Sequence, residues 1–362
     1  MNGFKKYIRQ DGVENIVSFS GGKDSTALYL LALEWGLTFR PVFADTGHEH
    51  EKTYDFVQTL HEKTGGPKIE IIRADFSDKF EKRREFIRDN WGLERVTNFA
   101  PNKKYPKGRR VVSPPVPQER INRAIELMFP TGNPFLDLCM LKGRFPSTKA
   151  RFCTEELKSL PMQRQIMFPA VKKRGWYARR VISWQGVRAE ESEARRKLDR
   201  FGHCDSGAVI WRPILDWTHE DVFAMHRKHN VQPNPLYFEG MGRVGCFPCV
   251  MCNKSELSSI AARYPDHIER VAEWEKIVSE CSRLGMATFF PDNKTTKTDS
   301  YDVNVDGYLG IHAVAEWAKT TRGGVQYDLM NFSENEDQQC QSKYGLCECY
   351  MEKSHTCAGL RR

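Results

Sequence analysis

No apolar run in these 362 residues approaches the ~20 that a membrane helix needs, so a membrane-spanning class is set aside. No apolar h-region follows the charged start Met1-Asn2-Gly3-Phe4-Lys5-Lys6, so a signal peptide is not expected and a cytoplasmic location is the expectation. Internal repeats and low-complexity tracts are missing too, and 40% hydrophobic with 28% charged residues fits a folded globular chain, not a disordered one. The Walker A spacing, with four residues between its first glycine and Gly-Lys, is also absent. The length allows one large domain or two ordinary ones.

Cysteine, by contrast, is plentiful, with eleven in the chain. In a reducing compartment, clustered cysteines point to metal or redox chemistry ahead of disulfides. Cys139, Cys204 and Cys281 are scattered and read as core or surface residues. The net charge of +8 is unevenly placed: residues 77–200 hold 29 Lys/Arg against 14 Asp/Glu, a balance of +15, leaving −7 elsewhere. Such a basic middle section suits a polyanion such as nucleic acid, the phosphates of a small ligand, or simply a solvated face.

The first 75 residues read as alternating strands and helices. Asn15-Ile16-Val17-Ser18-Phe19 is a short apolar run, followed by a glycine turn and a helical pattern over 26–33. A second strand is expected over 37–44, a second helix over 51–62 and a third strand over 68–72. This β-α-β-α-β order implies an α/β fold with a parallel sheet and helices on both faces. Residues 77–150 break the pattern as a basic insert: 98–118 hold five prolines among lysines and arginines, the composition of a loop or lid. Strand–helix character returns at 180–184 and 209–214, and Thr218 reads as the N-cap of a helix with Asp221 three residues on. A helical segment is expected over 255–282. The expected division is a nucleotide-binding domain at 1–230 carrying the insert, and a Cys-rich C-terminal region at 231–362 completing a metal site.

Ser20-Gly21-Gly22-Lys23-Asp24-Ser25 sits between the first strand and first helix. Glycines let the backbone approach an anion, the helix start offers unpaired N–H groups, and Lys23 supplies a point charge. Ser20 and Ser25 add hydroxyl donors. Asp45, at the end of the second strand, reads as a nucleotide contact, a Mg²⁺ ligand or neither. Arg188 and Arg195 read either as bidentate phosphate or sulfate ligands or as surface partners of Glu190, Glu191 or Glu193. His48 and His50 read as solvent-facing.

The Ser-Gly-Gly-Lys-Asp-Ser loop resembles the signature of the ATP-pyrophosphatase and phosphoadenosine-phosphosulfate (PAPS) reductase group. Further segments resemble that group in order: Asp45-Thr46-Gly47 with Glu51 and Thr53; Gly186-Val187-Arg188-Ala189-Glu190-Glu191-Ser192 with Arg195; and Trp211-Arg212-Pro213-Ile214 with Trp217 and Asp221-Val222. Together they cover roughly 14–255 outside the basic insert. The resemblance implies an adenine nucleotide alpha-hydrolase-like (Rossmann-like) fold. It also implies a loop around Gly186 and Arg188 that closes over the phosphates of ATP or PAPS, with Lys23, Asp24 and Arg188 in catalysis.

Cys246, Cys249 and Cys252 stand at C-x₂-C-x₂-C spacing, which suits an iron–sulfur cluster or zinc. The segment from Arg151 through Cys153-Thr154 to Lys158 and Pro161 resembles the family's Cys-Cys-x₃-Lys-x₂-Pro run, with Phe152 in place of the first cysteine. Cys252 restores the count, so Cys153, Cys246, Cys249 and Cys252 are the expected ligands of a [4Fe-4S] cluster. That layout is similar to DNA-phosphorothioation-type and phage-type members. In the tail, Cys340, Cys347, Cys349 and Cys357 read as a second metal site, a sulfur relay or plain thiols; His355-Thr356-Cys357 loosely resembles the catalytic-cysteine ending of PAPS reductases.

The leading expectation is an ATP-pyrophosphatase-coupled sulfurtransferase using Mg²⁺, a sulfur donor such as a cysteine desulfurase, and a nucleic-acid acceptor met by the basic insert. The alternatives are a thioredoxin-dependent PAPS or adenylyl-sulfate reductase with Cys357 attacking, and a binding subunit without turnover.

Overall fold

The computed structural model describes residues 2–101, 106–175, 180–290 and 310–320. Cys340, Cys347, Cys349 and Cys357 lie outside them. In chain order the described elements open with α1 (Asn2–Tyr7), β1 (Glu14–Phe19), α2 (Lys23–Glu34), β2 (Phe39–Asp45), α3 (Glu51–Thr64) and β3 (Glu70–Arg73). Then come α4 (Ser77–Asn90), β4 (Arg95–Phe99), β5 (Arg109–Ser113), α5 (Gln118–Leu127) and α6 (Pro134–Lys142). The remaining strands are β6 (Val181–Trp184), β7 (Phe201–His203) and β8 (Val209–Trp211). No helix among the described residues is long and apolar enough to cross a membrane.

The first compact unit comprises residues up to Arg73 together with Glu155–Cys249. Its sheet has the order β3-β2-β1-β6-β8-β7, parallel throughout except for β7 at the edge. Successive side chains of a strand point to opposite faces, and the core divides accordingly. Val17, Phe19 and Phe43 pack with Ala27, Leu28 and Leu31 of α2, whereas Ile16 and Val42 pack with Ile166, Met167 and Ala170 on the other face. Burial on both faces is why β1 reads as an unbroken apolar run instead of an alternating one. At the centre, β1 is paired on both sides, and Ile16 and Val17 are fully buried.

The second unit comprises Ala74–Thr154 and the described residues from Val250 onward. In this division residues 77–150 share a unit with the described residues from Val250 onward. Phe135 of α6 packs, with its ring tilted, against Trp274 of the helix Pro265–Glu280 and against Phe289, giving the insert a core with later residues. Nor is 98–118 only loop. Val96, Thr97, Val111 and Val112 pair β4 with β5 as an antiparallel ribbon, and β-branched residues suit that geometry. The prolines fall in the connection, at Pro101 and Pro106, or beyond β5. The helical segment expected over 255–282 is two helices, Lys254–Arg263 and Pro265–Glu280, because Pro265 lacks the N–H that would continue the first.

Candidate nucleotide site and its buried polar network

From β1 the chain proceeds to β2 and β3 on one side of the sheet, while β6 and β8 lie on the other. The strand order thus reverses between β1 and β6. In open parallel sheets the ligand crevice opens beyond the carboxyl ends of the strands at such a point. The segments leaving β1 and β6 there are 20–22 and 185–188, both singled out from the sequence.

The first segment needs its glycines. Gly21 has φ +74°, and a Cβ there would lie 2.7 Å from Thr53 Cγ2. A Cβ on Gly186 would meet the Asp24 carbonyl oxygen at 3.2 Å, so the two loops approach backbone to backbone. Ser25 Oγ ties the turn together, accepting from Ser20 N–H at 3.1 Å and donating to Gly22 O at 2.9 Å. At the head of α2, Lys23 N–H donates to Tyr237 OH at 3.0 Å and Thr26 N–H to Gly22 O at 3.0 Å. The N–H groups of Asp24 and Ser25 have no protein acceptor among the described residues, and they are donors that an anion at a helix start can take.

Lys23 is 3% exposed and its Nζ lies 3.0 Å from Asp24 Oδ2. Arg188, equally buried, donates from Nε to Asp24 Oδ1 at 2.5 Å and from Nη1 to Glu190. Two cations at the ends of different strands therefore share one carboxylate. Arg195 sits on the short helix Glu193–Arg196, half-exposed and paired with Glu191. Of the two arginines, only Arg188 is held at the crevice by a contact with residues 20–25.

Asp45 is buried, and both its oxygens are occupied. Oδ2 pairs with Arg73, while Oδ1 accepts from Tyr54 OH at 2.7 Å and Gly47 N–H at 2.8 Å. Beside it Glu49 accepts from Thr46 N–H at 3.1 Å and Thr46 OH at 2.8 Å, with Lys158 Nζ 3.9 Å away. Burial pushes the Glu49 carboxyl up from its ordinary value, opposed by the Lys158 ammonium and the Thr46 hydrogen bonds. The expectation that His48 and His50 face solvent is corrected: both are buried, and His50 Nδ1 caps α3 by accepting from Lys52 N–H at 3.0 Å.

Cys246 lies against this network. Its backbone forms an antiparallel bridge with Glu49, and its Sγ is 3.6 Å from Thr46 Oγ1. Burial pushes the Cys246 thiol up, Lys158 pulls it down, and Cys249 adds to the upward push. Cys246 and Cys249 belong to the first unit; Cys153, on the short helix Phe152–Thr154, and Cys252 belong to the second. None of the four is in a disulfide, and a thiolate is a soft donor of the kind that iron–sulfur clusters use.

Several residues that complete the crevice were not found from the sequence. Asn234 Nδ2 donates to Gly21 O and to Thr53 Oγ1, each at 3.2 Å, and Tyr237 closes on Lys23. His226 is buried with Nε2 2.9 Å from Lys23 O, so the Nε2–H tautomer donates there. Burial holds its imidazole below the usual histidine range. Asn-Pro is a local turn signal, but nothing in Asn234-Pro235 points to a partner more than 200 residues away.

A parallel sheet whose central glycine turn and arginine loop meet at the reversal point defines an α/β nucleotide-binding class of protein. Residues 14–252 match the phosphoadenosine phosphosulfate reductase domain, and the chain belongs to that family. It is 47% identical over 341 residues to an uncharacterized 37.8 kDa protein of Escherichia phage 186, covering 92% of this chain and 96% of that one. It is 24% identical over 269 residues to an uncharacterized protein of Methanocaldococcus jannaschii, covering 73% of this chain but only 41% of the archaeal protein's length. Similarity to the adenosine 5'-phosphosulfate reductase of Allochromatium vinosum is 32% identity over 111 residues, 30% of this chain and 39% of that one. Family membership gives the chain a nucleotide- and sulfur-related role.

Proposed function

We propose that this chain is an ATP-pyrophosphatase-type sulfurtransferase that binds ATP with Mg²⁺ at residues 20–25 and activates an acceptor on nucleic acid. The observation that carries the reading is the convergence of Lys23 and Arg188 on Asp24 at the sheet's reversal point. Two buried cations there suit an anion of more than one charge. Lys23 and Arg188 stabilise the pyrophosphate as the bond between the α and β phosphates breaks, and preorganised charge of this kind is a large catalytic contribution in a dry site. Ser20 and the Asp24 and Ser25 N–H groups orient the phosphates, with Ser25 Oγ holding the turn and Gly186 allowing the arginine loop to close on them. Asp24 is the carboxylate at hand for Mg²⁺, and Asp45 acts by fixing the loop after β2. The acceptor oxygen takes the adenylyl group, and sulfur from the donor then displaces AMP. Cys153, Cys246, Cys249 and Cys252 would hold the [4Fe-4S] cluster, which supplies sulfur or electron chemistry when bound.

The test is pyrophosphate release from ATP by the anaerobically purified protein with duplex DNA, single-stranded DNA or RNA, alongside iron and labile-sulfide analysis. Release that depends on one of them is expected; none with any acceptor or sulfur donor overturns the reading. The adenylyl-sulfate reductase similarity favours a second reading, release of sulfite from PAPS or adenylyl sulfate with thioredoxin as reductant. Sulfite formation that is lost in Cys357→Ser would replace the first reading with this one.

A further inference from the structure

The second unit carries an element that nucleotide chemistry does not use: the ribbon of β4 and β5. Its cross-strand partners are Val96 with Val112 and Asn98 with Arg110 on one face, and Thr97 with Val111 and Phe99 with Arg109 on the other. Val96, Asn98, Arg110 and Val112 are all exposed, so this whole face is open to solvent. The ten strand residues include three arginines and no carboxylate. The ribbon is firmly rooted. Arg283 donates to the carbonyls of Asn90, Leu93 and Pro114 at its base, and Gly108, with φ +77°, brings its Cα against the Phe99 carbonyl, where a Cβ would lie at 2.6 Å.

We propose that this face reads duplex DNA in the major groove, with Asn98 and Arg110 on base edges and Val96 and Val112 against thymine methyls. The proposal rests on the nucleic-acid half of the function above and names its binding element. Paired strands lie about 4.8 Å apart, so a two-stranded ribbon enters a groove about 12 Å wide, as an α-helix does. Five residues span about 17 Å, enough to cross that groove and reach phosphates at its edges. Residue type then decides among partners. Arginine and asparagine are the side chains that pair bidentately with guanine and adenine edges, and aliphatic groups pack on the thymine methyl. Here an Asn and an Arg stand directly opposite each other, flanked by a valine pair on the same face. Arg95 and Lys107, exposed at the two ends, are placed for the phosphates, which set affinity and register but not sequence. An acidic protein would use the arginines but would have no use for the open valine pair beside an asparagine.

The experiment selects bound sequences from a randomised duplex pool with the full chain, then measures binding of the enriched duplex against salt. Enrichment of a motif is expected. Asn98→Ala and Arg110→Ala should each weaken the enriched duplex on the order of tenfold and relax the motif. Lys107→Ala should keep the motif and lower the salt slope by about 0.9. All three positions are exposed, so the variants fold. An unenriched pool, tighter binding of single strands or of polyglutamate than of duplex, or a motif unchanged in both face variants overturns the proposal. Lys23→Ala runs in parallel: it should lose nucleotide but keep duplex, so failure of the nucleotide site is read separately from failure of the ribbon.

Discussion

Arg188 Nε donates to Asp24 Oδ1 at 2.5 Å although 164 residues separate them, and Lys23 holds the other oxygen of the same carboxylate. The contact joins the loop leaving β6 to the loop leaving β1. It keeps two buried cations aligned at the crevice, and neither is extended toward solvent. In the proposed function, nucleotide binding would be coupled to the position of both loops.

Lys23→Ala should weaken ATP or PAPS binding by about 10- to 100-fold, because a hydrogen bond to a charged group is worth about 1.5–3 kcal/mol. Titration calorimetry checks it. Affinity equal to that of the unaltered chain would remove the loop at residues 20–25 as the phosphate-binding element.

Gly21→Ala should destabilise the first unit by about 1–3 kcal/mol, through left-handed backbone strain and the clash with Thr53 Cγ2. Adding Thr53→Ser removes that methyl but keeps the hydroxyl that accepts from Asn234. Part of the loss should return in denaturant unfolding and the backbone part should not. No recovery at all would mean the steric contact is unimportant.

Tyr54→Phe removes the one O–H that donates to Asp45 at 2.7 Å, with Glu49 3.3 Å from the same oxygen. Leaving buried carboxylates less satisfied costs about 1–3 kcal/mol. The expected readout is a lowered unfolding midpoint with the secondary structure intact. An unchanged midpoint would show that Arg73, Gly47 and Thr46 suffice.

Burial pushes the Cys281 thiol up to about 12, with Glu280 adding to the rise and Arg83 and Arg123 opposing it. The native state then keeps a proton that the unfolded chain gives up near 9. Stability from this group is complete below about pH 9, the unfolded value, and is lost as pH climbs toward 12. The fall in unfolding midpoint from pH 9 to 11 should accordingly be steeper in the unaltered chain than in Cys281→Ala. Native Cys281 should also resist alkylation at pH 8 and react once unfolded.

Local features were legible in the sequence. The glycine turn at residues 20–25, the strand–helix alternation around it, and the Thr218–Asp221 capping box each depend on residues within a few positions of one another, and the structure shows all three. The ribbon was less so: five prolines around it suggested a loop, and only the pairing of β4 with β5 sets Val96 opposite Val112 and Asn98 opposite Arg110.

The sequence by itself determined that a glycine turn follows a buried strand, because glycine's freedom and an apolar run are properties of short segments. Tertiary structure alone decided which distant groups close on that turn. Asn234, Tyr237 and His226 reach Gly21 and Lys23 from more than 200 residues away, and His48 and His50, between β2 and α3, are buried. Such contacts follow from how strands and helices stack, and stacking leaves no periodic trace at the residues it brings together.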